Sequence, residues 1–360
     1  MIQTRSQMPV RCAFVAILSA WILAAPTASS CAESVEPGLG EFRTAGPLAQ
    51  DIAIPAWYAQ TEALWLTRNR PNAQIFSAID ATGLGDLINV QDARDLDFNY
   101  EPGVRLTIGR RLDACNRLEL SYFGLQDFHS VRQVTDPNNG LISVYGLNGP
   151  FLGGTTGFDS ASVHRLEYDS ELHNAEFNFR HRGAAAGPLE TDLLLGFRYL
   201  GLNERFLFTS VQPGGGIGGV DAYGISENRS FNSLLGAQLG GELLYHATPR
   251  LDLTARANAG LFLNFARQSS VFIQDLGNIV RADYPARKEC LAGLIQVGLA
   301  AQYRLGQHVA LRGGYDVILL SGVALASSQF DRNSGYFGRS IDHSGTVVYH
   351  GPSAGLEIQW

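Results

Sequence analysis

Long apolar runs are almost absent from this sequence. The one clear case, "CAFVAILSAWILAA" from Cys12 to Ala25, stands near the start, and nothing after it is long enough to cross a bilayer as a helix. Charge is scarce too, at 17% of 360 residues with a formal net of -7, and no lysine- or arginine-rich cluster exists to track phosphates, which sets nucleic acid aside. Neither Cys-x-x-Cys nor His-Glu-x-x-His spacing occurs, and the eight histidines are scattered, so the residues call for no metal and no other cofactor. The glycine-rich "PGGGIGG" (Pro213 to Gly219) lacks the Lys-Ser or Lys-Thr of a phosphate loop and reads as a loop tip.

The Cys12–Ala25 run follows Arg5 and Arg11 and precedes the small residues "PTASSCA". Basic flank, short apolar centre and small-residue exit together describe a secretory signal peptide cleaved near Ser30 to Ala32. Residues 1–31 are expected to be that signal, 32–55 a flexible N-terminal segment, and 56–360 the folded unit. "ASSC" also faintly matches a lipoprotein site acylated at Cys31, without the expected Leu.

From residue 56 onward the dominant signal has period two. "RLDLTARANAGLFL" puts Leu251, Leu253, Ala255, Ala257, Ala259, Leu261 and Leu263 on one side and Arg250, Asp252, Thr254, Arg256 and Asn258 on the other. Strands are expected near 56–68, 101–111, 117–126, 163–181, 189–202, 231–245, 250–264, 290–304, 308–320 and 351–360. Short turns (112–116, 183–188, 246–249, 305–307) alternate with long polar segments (69–100, 127–162, 203–230, 265–289, 321–350). That rhythm fits an all-β fold, a closed antiparallel up-and-down transmembrane barrel of about ten strands (eight to twelve), with short periplasmic turns and long outer loops. In hydrocarbon every backbone N–H and C=O needs a partner, so a chain without spanning helices must close its sheet.

Charge placement supports closure. Arg105, Glu119, Glu167, Asp169, Glu171, Glu190, Asp192, Arg198, Glu242, Asp252, Arg256, Arg304, Arg312, Asp316 and Glu357 fall on the presumed lumen faces. On a lipid face an arginine at mid-bilayer costs about 2–4 kcal/mol. In "VHRLEYDSELHNAEFNFRHR" the apolar set switches phase between Leu172 and Ala175, which predicts a bulge or turn near His173 and Asn174. Trp57, Tyr58 and Trp360 are expected at the membrane interface, where amphipathic aromatics sit. The final "PSAGLEIQW", alternating up to a terminal aromatic, resembles the signal by which bacterial outer-membrane barrels are recognised by their assembly machinery.

"WYAQTEALWLTRNRPN", "VHRLEYDSELHNAEFNFR", "LLLGFRYLGLNERF" and "YGISENRSFNSLLGAQLGGEL" resemble the beta-barrel porin-7 family, and most specifically so at Trp57-Tyr58 and at Gly196-Phe197-Arg198-Tyr199 with Glu204 downstream. The resemblance implies an outer-membrane barrel and supplies no solute, catalytic residue or partner other than the bilayer.

Two acid–histidine pairs, Asp127 with His129 and Asp342 with His343, sit on or beside expected outer loops, where an acid and a base can position a water. No third, orienting residue accompanies either pair, and solvated loops are the simpler reading. Cys115 in a turn and Cys290 at the outer end of a strand are expected to stay unlinked, because an apolar band of about 25 Å separates them. Three functions follow in order: a porin-like barrel passing small hydrophilic solutes, a non-conducting structural or adhesive barrel with binding loops, and a hydrolase at the barrel mouth. The leading expectation is non-enzymatic.

Overall fold

The computed structural model describes residues 56–80, 85–147, 157–275, 279–330 and 340–360, so the expected signal peptide and N-terminal segment lie outside the described residues. The strands are β1 (Trp57–Arg68), β2 (Ile75–Asp80), β3 (Leu87–Asp92), β4 (Glu101–Arg111), β5 (Asn116–Thr135), β6 (Leu141–Ser143), β7 (Val163–Ala186), β8 (Leu189–Gln212), β9 (Ala222–Thr248), β10 (Leu251–Asp275), β11 (Ile279–Arg304), β12 (Val309–Val323) and β13 (Gly345–Gln359). Ten of them close into an antiparallel barrel in the order β1-β4-β5-β7-β8-β9-β10-β11-β12-β13, and β3-β2-β6 form a separate three-stranded sheet. Each barrel strand pairs with the next barrel strand along the chain, and β13 returns to β1. Closure is completed by Trp57 and Trp360, whose backbones exchange two 2.9 Å hydrogen bonds. That exchange is what holds the chain's last residue.

The outward face carries a ring of exposed apolar side chains, among them Leu291 at 73%, Leu261 at 72% and Phe197 at 67%. Along β10 the outward positions from Leu253 to Phe265 are apolar throughout. At about 3.3 Å per residue and a tilt of about 45°, that run spans roughly 28 Å. Soluble proteins do not leave an apolar belt on every side exposed to water.

Beyond the belt, at the end where the longer connections lie, the strands continue and their polarity inverts. On β7 the inward residues Leu166, Tyr168 and Leu172 are fully buried, while Arg165, Glu167, Asp169 and Glu171 take the outward positions. This corrects the expected break at His173 and Asn174. β7 pairs with β8 without a shift from Val163 to Arg182, and the register shift in this region belongs to β5, between Leu125 and Phe128. The strand keeps its phase; only the chemistry on its two faces changes places. The strands themselves continue, β8 to Gln212, β9 back to Ala222, β10 to Asp275 and β11 back to Ile279, through most of the segments 203–230 and 265–289 expected as loops; on β9 and β10 the inward residues there include Ser226, Asn228, Ser230, Gln268, Ser270 and Gln274, all buried.

The small sheet folds into the interior at this loop end, where Phe76, Ala78 and Leu141 have no exposed surface. Its Phe76 packs on Phe206, Phe208 and Phe330 at centroid distances of 5.1, 5.5 and 4.7 Å. Phe330 arrives on the β12–β13 connection. That connection leaves β12 at a register shift around Gly322, whose φ of +80° suits glycine and whose added Cβ would lie 2.5 Å from the Leu291 carbonyl.

Candidate functional site

The interior divides into two halves. At the turn end, inward side chains of all ten strands enclose a polar vestibule of about 640 Å³ that opens past Gly306, Gln307 and His308. Eight arginines and eight carboxylates line it, so it has no net field with which to select an ion by sign. Arg105 bridges Glu62 at 3.0 Å and Asp316 at 2.9 Å, Arg256 takes the second Asp316 oxygen at 2.5 Å, and Arg312 lies 3.0 Å from Glu62. Arg180 joins Glu119 (2.5 Å) to Glu242 (2.7 Å), Arg304 meets Asp252 at 2.5 Å, and Arg117 pairs with Asp192. Above them Arg198 reaches Asn174 at 2.5 Å, Gln296 at 2.9 Å and Gln238 at 3.2 Å, with Glu176 at 3.5 Å. Charges buried in such a net are held by one another.

Most of the expected lumen residues face this net: Arg105, Glu119, Glu190, Asp192, Arg198, Glu242, Asp252, Arg256, Arg304, Arg312, Asp316 and Glu357. Glu167, Asp169 and Glu171 do not. They stand on the outer face of β7, because they lie past the inversion, where the same parity that carries Phe177 and Phe179 outward now carries carboxylates. Tyr58 is corrected as well. It follows Trp57 in a strand, so it points inward, is 5% exposed and donates to Glu119, while Trp57 and Trp360 remain outward. Glu62, Arg117, Glu176 and Arg180 were missed by the sequence reading, although their alternation with Ala63, Leu118, Phe177 and Phe179 marks them.

The vestibule ends at a dry layer. Leu64, Phe123, Leu200, Leu234, Phe262 and Leu294, from six different strands, are each no more than 1% exposed and belong to one buried cluster. The aromatic core around the small sheet stacks on this layer. Within it, Arg68 and Glu204 are paired at 2.5 Å with side chains 1% and 0% exposed. Glu204 also accepts from Tyr168 Oη at 2.8 Å and from the Ala326 amide at 2.9 Å, so it ties the β12–β13 connection to the wall. His164 latches the small sheet in the same way: Nδ1 lies 2.7 Å from Ser77 Oγ and Nε2 2.7 Å from the Phe158 carbonyl. His164 sits past the belt, where burial pushes its imidazole down to about 4.

Neither candidate catalytic pair lines the vestibule. His129 bonds Asp169 at 2.6 Å on the outer face; the Asp127 side chain lies outside the described residues. Asp342 accepts from the Ser344 amide at 2.9 Å, a turn contact, and no bond to His343 occurs among the described residues. His129, Glu167 and Asp169 offer ligand atoms within 4.8 Å of one another, but Arg205 already lies 3.3 Å from Glu167 and 3.2 Å from Asp169 and supplies the positive charge there. A Gly-x-Ser-x-Gly string, Gly351 to Gly355, escaped the sequence reading. It lies inside β13 with Ser353 buried, not at a strand-to-helix turn, and so makes no nucleophile elbow. Cys290 is free and Cys115 is disulfide-bonded, so these two are not joined to each other.

No protein-family model matches the chain, and no curated protein matches it in sequence. The porin-7 resemblance therefore has no family match behind it. Among solved structures, the chain is similar to the outer membrane protease OmpT from Escherichia coli, at 12% identity over 86% of this chain and 98% of that one, with a TM-score of 0.44. It is also similar to a major outer membrane protein from Thermus thermophilus (11% identity, 85% and 99% covered, TM-score 0.33) and to the translocator domain of the autotransporter NalP from Neisseria meningitidis (11%, 86% and 90%, 0.34). At these scores no residue role passes from any of them to this chain.

Proposed function

We propose that this protein is an outer-membrane β-barrel, closed to hydrophilic solutes, that carries a small folded sheet at its cell-surface end. The apolar belt of about 28 Å supports the membrane assignment, since it matches the height of hydrocarbon that such barrels cross. The short turns then face the periplasm. The observation that carries the closed state is the dry layer from Leu64 to Leu294, buried to within 1%. Moving an ion from water into such a medium costs of order 20 kcal/mol in the idealised limit, so the vestibule is a blind pocket. The reading is non-enzymatic, and the terminal Trp360 strand is its contact with the assembly machinery.

One observation favours a second reading. The vestibule already supplies half of a wet path, so withdrawal of the small sheet and its flanking segments would make a gated passage for small hydrophilic solutes. Planar-bilayer recording on the purified full chain separates the two. Insertion without stepwise conductance supports the closed barrel, and steps under ordinary salt and voltage would refute it in favour of the gate.

A further inference from the structure

Two arginines confront each other on the outside of the barrel without an anion between them. Arg267 of β10 and Arg287 of β11 are direct cross-strand partners, both are exposed, and among the described residues neither has a hydrogen bond or an ion pair. Directly opposed residues keep their Cβ atoms about 5 Å apart, and like charges so placed destabilise the sheet. Elsewhere the same surface solves the same problem internally. Arg205 and Arg229 are also direct partners, but Glu227 accepts from both. At Arg267 and Arg287 that anion is missing: Glu289, two positions along β11, forms no ion pair with either among the described residues.

The location suggests what supplies it. Phe265 and Leu291 end the apolar run on β10 and β11, and Phe231 ends it on β9; the next outward residue is Arg267 on β10 and Arg229 on β9, while on β11 Glu289 precedes Arg287. Arg229 is the diagonal neighbour of Arg267, since it pairs with Ser269. Acyl chains and a phosphorylated headgroup present the same order of chemistry along one molecule, and paired guanidiniums bind phosphate oxygens in bidentate fashion. Resting on the outer-membrane reading above, we propose that Arg267 and Arg287 clamp a phosphate of an outer-leaflet lipid, with its chains on Phe231, Phe265 and Leu291.

The test uses the full chain folded in detergent and in vesicles, with a bis-phosphorylated glucosamine lipid as probe and its dephosphorylated form as control, read by native mass spectrometry. Wild type is expected to retain the phosphorylated lipid selectively. R267Q/R287Q should lose about thirtyfold in affinity, whereas R165Q, on the same outer surface, should keep it. Because the opposed arginines repel, R267Q or R287Q alone folds at least as well as wild type and serves if the double variant does not. Equal retention of the dephosphorylated lipid, or unchanged binding by the variants, overturns the clamp. Displacement by millimolar inorganic phosphate with no preference for the lipid overturns the lipid as its source. A chain that never inserts into vesicles refutes the membrane reading together with the clamp; insertion without phosphate selectivity refutes the clamp alone.

Discussion

Replacing Arg68 with methionine tests whether the plugged half is held by its buried ion pair. The guanidinium lies under three rings, Phe98, Tyr168 and Tyr349, at 4.9, 5.0 and 5.9 Å, and meets Glu204 at 2.5 Å. The methionine side chain would keep much of the apolar stem but strand a carboxylate that has 0% exposure. Removing one partner of a buried pair costs about 3–5 kcal/mol, and the lost ring contacts add about 1 kcal/mol. With a urea slope of about 2 kcal/mol/M, the unfolding midpoint should fall by about 2–3 M. The double variant R68M/E204Q removes the stranded charge while leaving an amide oxygen for Tyr168 and the Ala326 amide, so it should recover most of that loss. Arg68 Nε is buried without a partner, which makes the native pair imperfect and the double exchange easier to tolerate. Urea titrations followed by tryptophan fluorescence and by gel mobility of unheated samples give both midpoints. A single variant as stable as wild type, or a double variant no better than the single, would show that the pair does not anchor this half.

Asn232→Ala should weaken the same region by about 2–3 kcal/mol, because Asn232 satisfies both the amide and the carbonyl of buried Ala324, each at 2.8 Å; an unchanged midpoint would contradict that clamp. Folded His164 titrates near 4 and an unfolded histidine near 6.5, so below about 6.5 the unfolded chain binds a proton that the folded chain refuses. Stability should therefore drop as pH falls from about 6.5 to 4, by up to about 3 kcal/mol, and His164→Gln should flatten that slope; parallel pH profiles for the two proteins would sink the assignment. Deleting Trp360 removes both hydrogen bonds to Trp57 that finish the closure, so the yield of compact, heat-modifiable barrel should drop in a refolding assay, and full yield would refute a closing role.

All ten barrel strands were readable within the belt, because there one face must satisfy hydrocarbon and the other water, and alternation such as that from Leu251 to Leu263 has few other causes. Twelve of the expected lumen residues lie inward by the same parity, but Glu62, Arg117, Glu176 and Arg180 were not picked out, and Glu167, Asp169 and Glu171 stand outward. The reading failed wherever it equated apolar with outward. Leu166, Tyr168, Phe206 and Phe208 are apolar and inward, so β7 was given a false break and β8 was cut short, whereas β9 and β10 were cut where the inward residues, such as Asn228, Ser230, Gln268 and Ser270, are polar while the outward ones also turn polar. Tyr58 failed for the opposite reason, an interface aromatic by type but inward by its place after Trp57.

Sequence alone thus determined the closed sheet, its strand order and the belt, since period-two patterning and backbone pairing are local demands that each strand states for itself. Only the tertiary structure decided what fills the cylinder. Whether Phe76 meets Phe330, Glu204 meets Arg68, or Arg267 meets Arg287 depends on chain segments far apart in sequence arriving at one height. An apolar side chain facing a dry plug looks the same in the sequence as one facing lipid.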